Sequence, residues 1–268
     1  MAPAEAGRYA PMTMKAIGTV IEASPGELSE HEIWAGVLDY YDHWQSIDAR
    51  LAEHHDPLSK WAEAFGHDLV NLATYSHQIL TWLEPDNIRK AESVVVVGGV
   101  TEAFFLSLRS AADAVAGAIS HVASTKPGQA PGESLRALLT WAKNNPQRIR
   151  ASIAPVLAGD FEWFWNLRSL RDYIVHGGAT PNIHCNGGQF NLWVYAPNRG
   201  WITREPLLPL LKRRVESLLS FADAASIAIN QEIQMPEDRI RSRVVYGVLV
   251  PRLHKLIEVA DEYNDPSP

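Results

Sequence analysis

Four side chains in the stretch Arg168–Gly178 (RSLRDYIVHGG) could act together: Arg168, Arg171, Asp172 and His176. An imidazole can take or give a proton near neutral pH. A guanidinium can hold a phosphate through two N–H groups and stabilise charge in the transition state. RNA brings its own nucleophile, the 2′-OH. A base at His176 and a phosphate clamp at Arg171 therefore suit attack of that hydroxyl on the adjacent phosphate, without a metal.

A helix is the element that would hold these groups together. Asp160 can cap its start, and Gly177–Gly178 can stop it in a left-handed conformation after His176. At about 100° per residue, Trp163, Leu167, Leu170 and Ile174 fall on one stripe and should face the core. Arg168, Asp172 and His176 fall on the other side at i, i+4, i+8, with Arg171 on its shoulder. The C-terminus of a helix carries negative partial charge, which favours Arg and His⁺ but repels a phosphate. One such helix is a poor anion site; two copies facing each other would concentrate positive charge in a cleft. Phosphodiester chemistry here thus predicts a homodimer through the motif helix.

The bare Arg-x4-His spacing is not distinctive, because Arg50 and His55 (RLAEHH) satisfy it too. That copy has Leu51 in second position and no glycine pair after it, and reads as a solvated helix end. The Arg171 copy has the polar Asp172 in second position, then Tyr173, Ile174 and Val175, and a glycine stop. With this context, LRSLRDYIVHGG resembles the motif helix of the HEPN superfamily: an Arg, a polar residue, a few more residues, then His. AFFLSLRSAADAVAGAI, upstream, is similar in character to an earlier bundle helix of that superfamily. The resemblance covers residues 91–233 and leaves 28–90 and the segment Ile183–Arg204 unexplained.

The resemblance implies a bundle of four to five helices and a symmetric dimer with both motifs at the interface. It implies a metal-independent endoribonuclease of the toxin–antitoxin, abortive-infection or phage-defence kind, with RNA as substrate and an antitoxin or regulatory protein as a further partner. Carried over by position, Arg171 and His176 are the catalytic pair and Asp172 orients them, with Arg168 as a supporting RNA contact. Other members lack catalysis and serve as modules that bind protein or nucleotide, which is the alternative function. The residues alone also admit a plainer account: Arg168 and Asp172 as a surface i, i+4 pair, and His176 as a helix C-terminal cation.

Other chemistries find less support. The ten histidines include His54–His55–Asp56, His67–Asp68, His77 and His184–Cys185, but none has zinc-ligand spacing, and His31–Glu32 lacks a second His. No GxxxxGK[ST] loop and no GxSxG occur, and Gly98–Gly99 is no dinucleotide fingerprint. Cys185 has no evident base beyond His184. No metal and no cofactor is expected. Of the nine tryptophans, Trp163, Trp165, Trp193 and Trp201 could stack bases, with packing as the alternative.

Composition sets the outer bounds. A single cysteine excludes an internal disulfide framework and points to a reducing compartment. The net charge of −7 argues against nonspecific coating of nucleic acid but leaves room for a local basic site. Arg148/Arg150, Lys212–Arg214 and Arg239–Arg243 read as solvated helix faces. The N-terminus lacks the basic start and apolar run of a secretory signal. The most apolar run, Val94–Leu108, is short for a membrane span and holds Gly98, Gly99 and Glu102. A cytoplasmic protein without a membrane partner is expected.

The elements add up to an all-α, up-and-down helical bundle with a small β insertion after the motif helix. Residues 1–27 are expected to be flexible, 28–90 to form an N-terminal helical hairpin, and 91–268 the bundle, with the insertion at about 182–204. Ser29 and Glu32 make a capping box for a helix ending near His55–Pro57. Further helices are expected from Pro57–Ser59 to Leu83, over Ala91–Ala123, over Glu133–Asn144, over Asp160–His176, over Pro206–Ile233, and over Glu237–Tyr263 with a kink or break at Pro251. Small residues from Ser110 to Gly117 should let another helix approach closely. The turns Asn186–Gly188 and Pro197–Gly200 predict a hairpin or three-stranded meander.

Overall fold

The computed structural model describes residues 52–88, 91–126, 128–186, 189–197, 199–233 and 249–264. The Ser29 capping box, the first expected helix and Arg50 lie outside them, as does Glu237–Val248 of the last expected helix.

The helices are α1 (Ala52–Leu83), the short α2 (Pro85–Ile88), α3 (Ala91–Ala123), α4 (Leu135–Asn144), the short α5 (Ala154–Leu157) and α6 (Glu162–Gly177). A meander follows, made of β1 (Thr180–Asn186), β2 (Gln189–Ala196) and β3 (Gly200–Pro206). Then come α7 (Leu207–Ile233) and α8 (Leu249–Asn264). The chain is mostly helical with one small antiparallel sheet, as its periodicities predict.

Several boundaries differ from expectation: α4 and α6 each begin two residues later than expected, the sheet spans Thr180–Pro206, and α8 runs through Pro251 without the expected break. The break placed at His55–Pro57 is absent, and α1 runs through Pro57 without interruption. A proline early in a helix costs a backbone hydrogen bond. Leu58, Ala62, Phe65 and Leu69, all buried, supply the apolar stripe that carries the helix across it.

α3 is the centre of the fold. It packs against α1, α6, α7 and β1, while α8 closes a ring by touching both α1 and α7. By length and composition Ser93–Ala123 could cross a membrane, which corrects the expectation that no segment is long enough. Judging the apolar run to end at Leu108 overlooked the alanine-rich half that extends it. Here Phe104, Leu108, Ala111, Val115 and Ile119 are all buried against neighbouring elements.

Successive long helices reverse direction. Trp61 of α1 lies against Gly117 of α3, and Asp68 against Ser110, so these two run antiparallel. Arg109 of α3 covers the Phe164 ring at the start of α6, while Gly98 meets Pro181 just past its end. Lys212, early in α7, pairs with Asp261, late in α8. At the opposite end of the bundle Arg150 donates to the Ser124 carbonyl (3.1 Å) and to Glu232 (2.8 Å), tying the end of α3 to the end of α7.

Two glycines of α3 set its closest contacts. A Cβ on Gly117 would lie 2.4 Å from the Trp61 ring, in the small-residue region the sequence marks for close approach. A Cβ on Gly98 would lie 2.7 Å from the Pro181 carbonyl oxygen. That obstacle is backbone and cannot turn aside. Gly98→Ala is expected to destabilise the fold by about 1–3 kcal/mol, read as a lower denaturation midpoint in urea.

The α1–α3 contact also buries a carboxyl group. Burial pushes Asp68 above its ordinary value of 3.8, partly offset by the Ser110 hydrogen bond and by neighbouring His67. The folded chain then holds this proton more tightly than the unfolded chain. Asp68 therefore favours folding most at low pH, and its contribution declines as pH rises from about 3.8 through the raised value. Asp68→Asn should flatten that part of the stability curve, measured by urea unfolding between about pH 4 and pH 8.

Candidate functional site

The motif helix α6 is anchored along its length. Phe161, not Asp160, is the N-cap and makes no side-chain cap bond; Asp160, one residue earlier, accepts one N–H of the first turn, that of Glu162 (2.8 Å). Arg214 of α7 donates to the Trp163 carbonyl (3.2 Å). Leu167, Leu170 and Ile174 are buried, as expected; the fourth buried side chain is Phe164, and Trp163 is only half-buried. Helix α6 lies in the angle between α3 and α7, so two adjacent ring residues divide the contact. Phe164 goes under Arg109 of α3, and Trp163 against Phe221 of α7. Burying four such side chains contributes about 1.5–3 kcal/mol each.

The helix stops as its glycines require. Gly178 is left-handed (φ 63°), and the N–H groups of Gly178 and Ala179 both turn back to the Tyr173 carbonyl. This leaves His176 exposed in the last turn.

The four candidate side chains meet on this exposed end. Arg171 Nη1 donates to Asp172 Oδ1 (2.9 Å) and lies 3.3 Å from His176 Nε2. Arg168 Nη2 lies 3.4 Å from Asp172 Oδ2. One carboxylate thus gathers two guanidiniums, one through each oxygen. A guanidinium has no acceptor atom, so Nε2 is the accepting nitrogen in the Arg171–His176 contact. The side chains of Arg168, Arg171 and Asp172 are each 28–34% exposed, within reach of a ligand.

Sequence reasoning misses Arg199 as a neighbour and Val175 as an exposed side chain, and it names Trp165 only as a candidate for stacking. Arg199, in the turn between β2 and β3, donates to the Tyr173 hydroxyl (2.8 Å) and lies over its ring. This brings a further cation to the motif end of α6 from a segment 26 residues away, which no local spacing encodes. Trp165 and Val175, 40% and 43% exposed, lie on the solvent side of α6 with the motif. Their phase on the helical wheel, beside Arg168 and Asp172, could have marked them.

Other candidates stay apart. Cys185 is exposed on β1. Among the described residues no three His, Cys, Asp or Glu side chains converge as a metal site. A shallow cleft lined by Gln189, Phe190, Pro206, Leu208 and Pro209 includes none of the motif residues. No family model, no curated protein and no solved structure matches this chain.

The exposed ion pairs and the buried stripe of α6 should differ sharply in their effect on stability. Asp172→Ala is expected to cost under about 1 kcal/mol, whereas Ile174→Ala should cost about 2–5 kcal/mol. Thermal melts of the two variants check this.

Proposed function

We propose that this chain is a HEPN-like endoribonuclease that acts as a homodimer and needs no metal. The observation that carries the proposal is the contact set on the exposed end of α6: Arg171 held against both Asp172 and His176 by one short network.

His176 Nε2 takes the proton of a ribose 2′-OH. The 2′-oxygen bonds to the adjacent phosphorus, and the 5′-oxygen leaves, taking a proton from water or from the second motif of the dimer. The products are a 2′,3′-cyclic phosphate and a 5′-hydroxyl. In the free protein Arg171 occupies His176 Nε2. A phosphate that draws the guanidinium to itself therefore frees the base at the moment of binding. Asp172 holds Arg168 and Arg171 in place until then. The net positive charge of one motif is small, and the α6 C-terminus opposes an anion. Pairing two copies supplies the rest.

The proposed setting is cytoplasmic, in a toxin–antitoxin or phage-defence system, with a regulatory protein as partner. A noncatalytic role in assembly draws on Trp165 and Val175, which give the same face exposed apolar surface.

Purified protein should cleave RNA in the presence of a chelator and leave 2′,3′-cyclic phosphate ends. Arg171→Ala and His176→Ala should each lower the rate by about 10²–10⁴ while leaving the dimer intact by light scattering. Absence of cleavage across varied RNAs, or full activity in both variants, would refute the nuclease. Loss of the dimer alone would favour the assembly role.

A further inference from the structure

The meander has two faces of opposite character. Pro181, Ile183, Phe190, Leu192 and Val194 are buried on the inner face. The outer face carries a ladder of rings with one guanidinium. His184 stacks on Trp193 (3.9 Å between centroids, 26°), and Arg204 lies over both Trp193 (4.9 Å) and Trp201 (4.0 Å). Trp201 in turn meets Trp193 and Tyr195 edge-on. Trp201 is 47% and Tyr195 45% exposed, so both offer ring surface to solvent.

Charge on this face is one-sided. Glu205 is the only carboxylate in the three strands, and it stands opposite Leu192, on the inner side. There it is engaged by Arg213 (2.8 Å) and by the Thr203 hydroxyl (2.9 Å). A chain of net charge −7 thus presents rings, a guanidinium and an imidazole here, with no strand carboxylate opposing them. Flat π-surfaces beside cations suit a polyanion with splayed bases.

The register ties this face to the motif. Thr180 opens β1 four residues after His176, and it pairs across the sheet with Tyr195, which pairs with Trp201. The exposed aromatic pair therefore stands at the sheet end adjoining the C-terminus of α6. Arg199, from the turn at that end, bonds Tyr173 on α6.

We propose that the outer face of the meander is a stacking platform for single-stranded RNA, with bases on Trp201 and Tyr195 and the backbone near Arg204. It takes its substrate class from the nuclease proposed above, and it extends the binding surface from the motif onto the sheet. Duplex RNA, whose bases are already stacked, is the weaker ligand.

Fluorescence anisotropy with a labelled single-stranded RNA oligonucleotide and its duplex tests this. The full chain carrying His176→Ala serves as the background, so that cleavage does not disturb binding. Trp201→Ala is expected to weaken single-strand binding about tenfold, with Tyr195→Ala and Arg204→Ala acting in the same direction. Trp201→Phe should restore most of the loss, and unchanged melting of each variant shows that the fold is intact. Unchanged affinity in Trp201→Ala and Arg204→Ala overturns the platform, as does failure of the His176→Ala chain to bind single strands at all. Variants that dissociate a homodimer without altering RNA affinity also overturn it and make the face a contact between copies. The two proposals fail separately: binding that depends on Trp201 without any cleavage removes the nuclease alone. Cleavage that depends on His176 with Trp201-independent binding removes the platform alone.

Discussion

A neighbour can approach α3 only as closely as the α3 side chains allow, and at two of its three glycines a neighbour comes right up to the helix. At Gly117 the Trp61 ring lies on the helix backbone, and at Gly98 the Pro181 carbonyl does. These two contacts sit near opposite ends of the helix that touches most of the others. The first fixes the antiparallel pairing with α1. The second fixes where the sheet begins, and so where the chain must stand when it leaves α6. The exposed position of His176 follows from that, because the left-handed Gly178 turns the chain off α6 toward β1.

The motif end is built from groups that restrain one another. Asp172 cancels much of the charge that a phosphate would seek, yet without it the two arginines would repel. A neutralised, surface-exposed cluster has little reason to distort the helix beneath it. It can therefore rest on four buried side chains without sharing their energetics. The sheet face beside it is arranged differently: Arg204 lies over Trp193 and Trp201, and among the described residues no carboxylate is bonded to it.

Much of this was legible in the residues. The α3 boundaries follow from composition and breakers, and the i, i+4, i+8 spacing correctly brought Arg168, Asp172 and His176 to one side of α6. The turns at Asn186–Gly188 and Pro197–Gly200 left a hairpin or a three-stranded meander open, and the meander is what forms. What escaped was long-range. Gly98 reads as a weak point in a helix until Pro181 is seen against it, 83 residues away in sequence. Phe164 displaced Trp163 from the deepest position because two neighbouring helices, and not one core direction, receive the face of α6. Strand alternation places Trp193 and Tyr195 on one face of β2, but it does not say which face is outward. That depends on where α3 and α7 lie.

The alternation of the helices gives the molecule two poles. The ends of α1, α6 and α8, the starts of α3 and α7, and the sheet gather at one. The start of α1, the end of α3, the connectors α4 and α5, and the Arg150–Glu232 clamp gather at the other. Helix α7 itself ends at this second pole, where Glu232 meets Arg150. Chain length added or removed in the connectors beside α4 and α5 enters the molecule at the end of α3, far from His176. The second pole is thus where this fold can absorb insertions while the geometry around the motif is inherited unchanged.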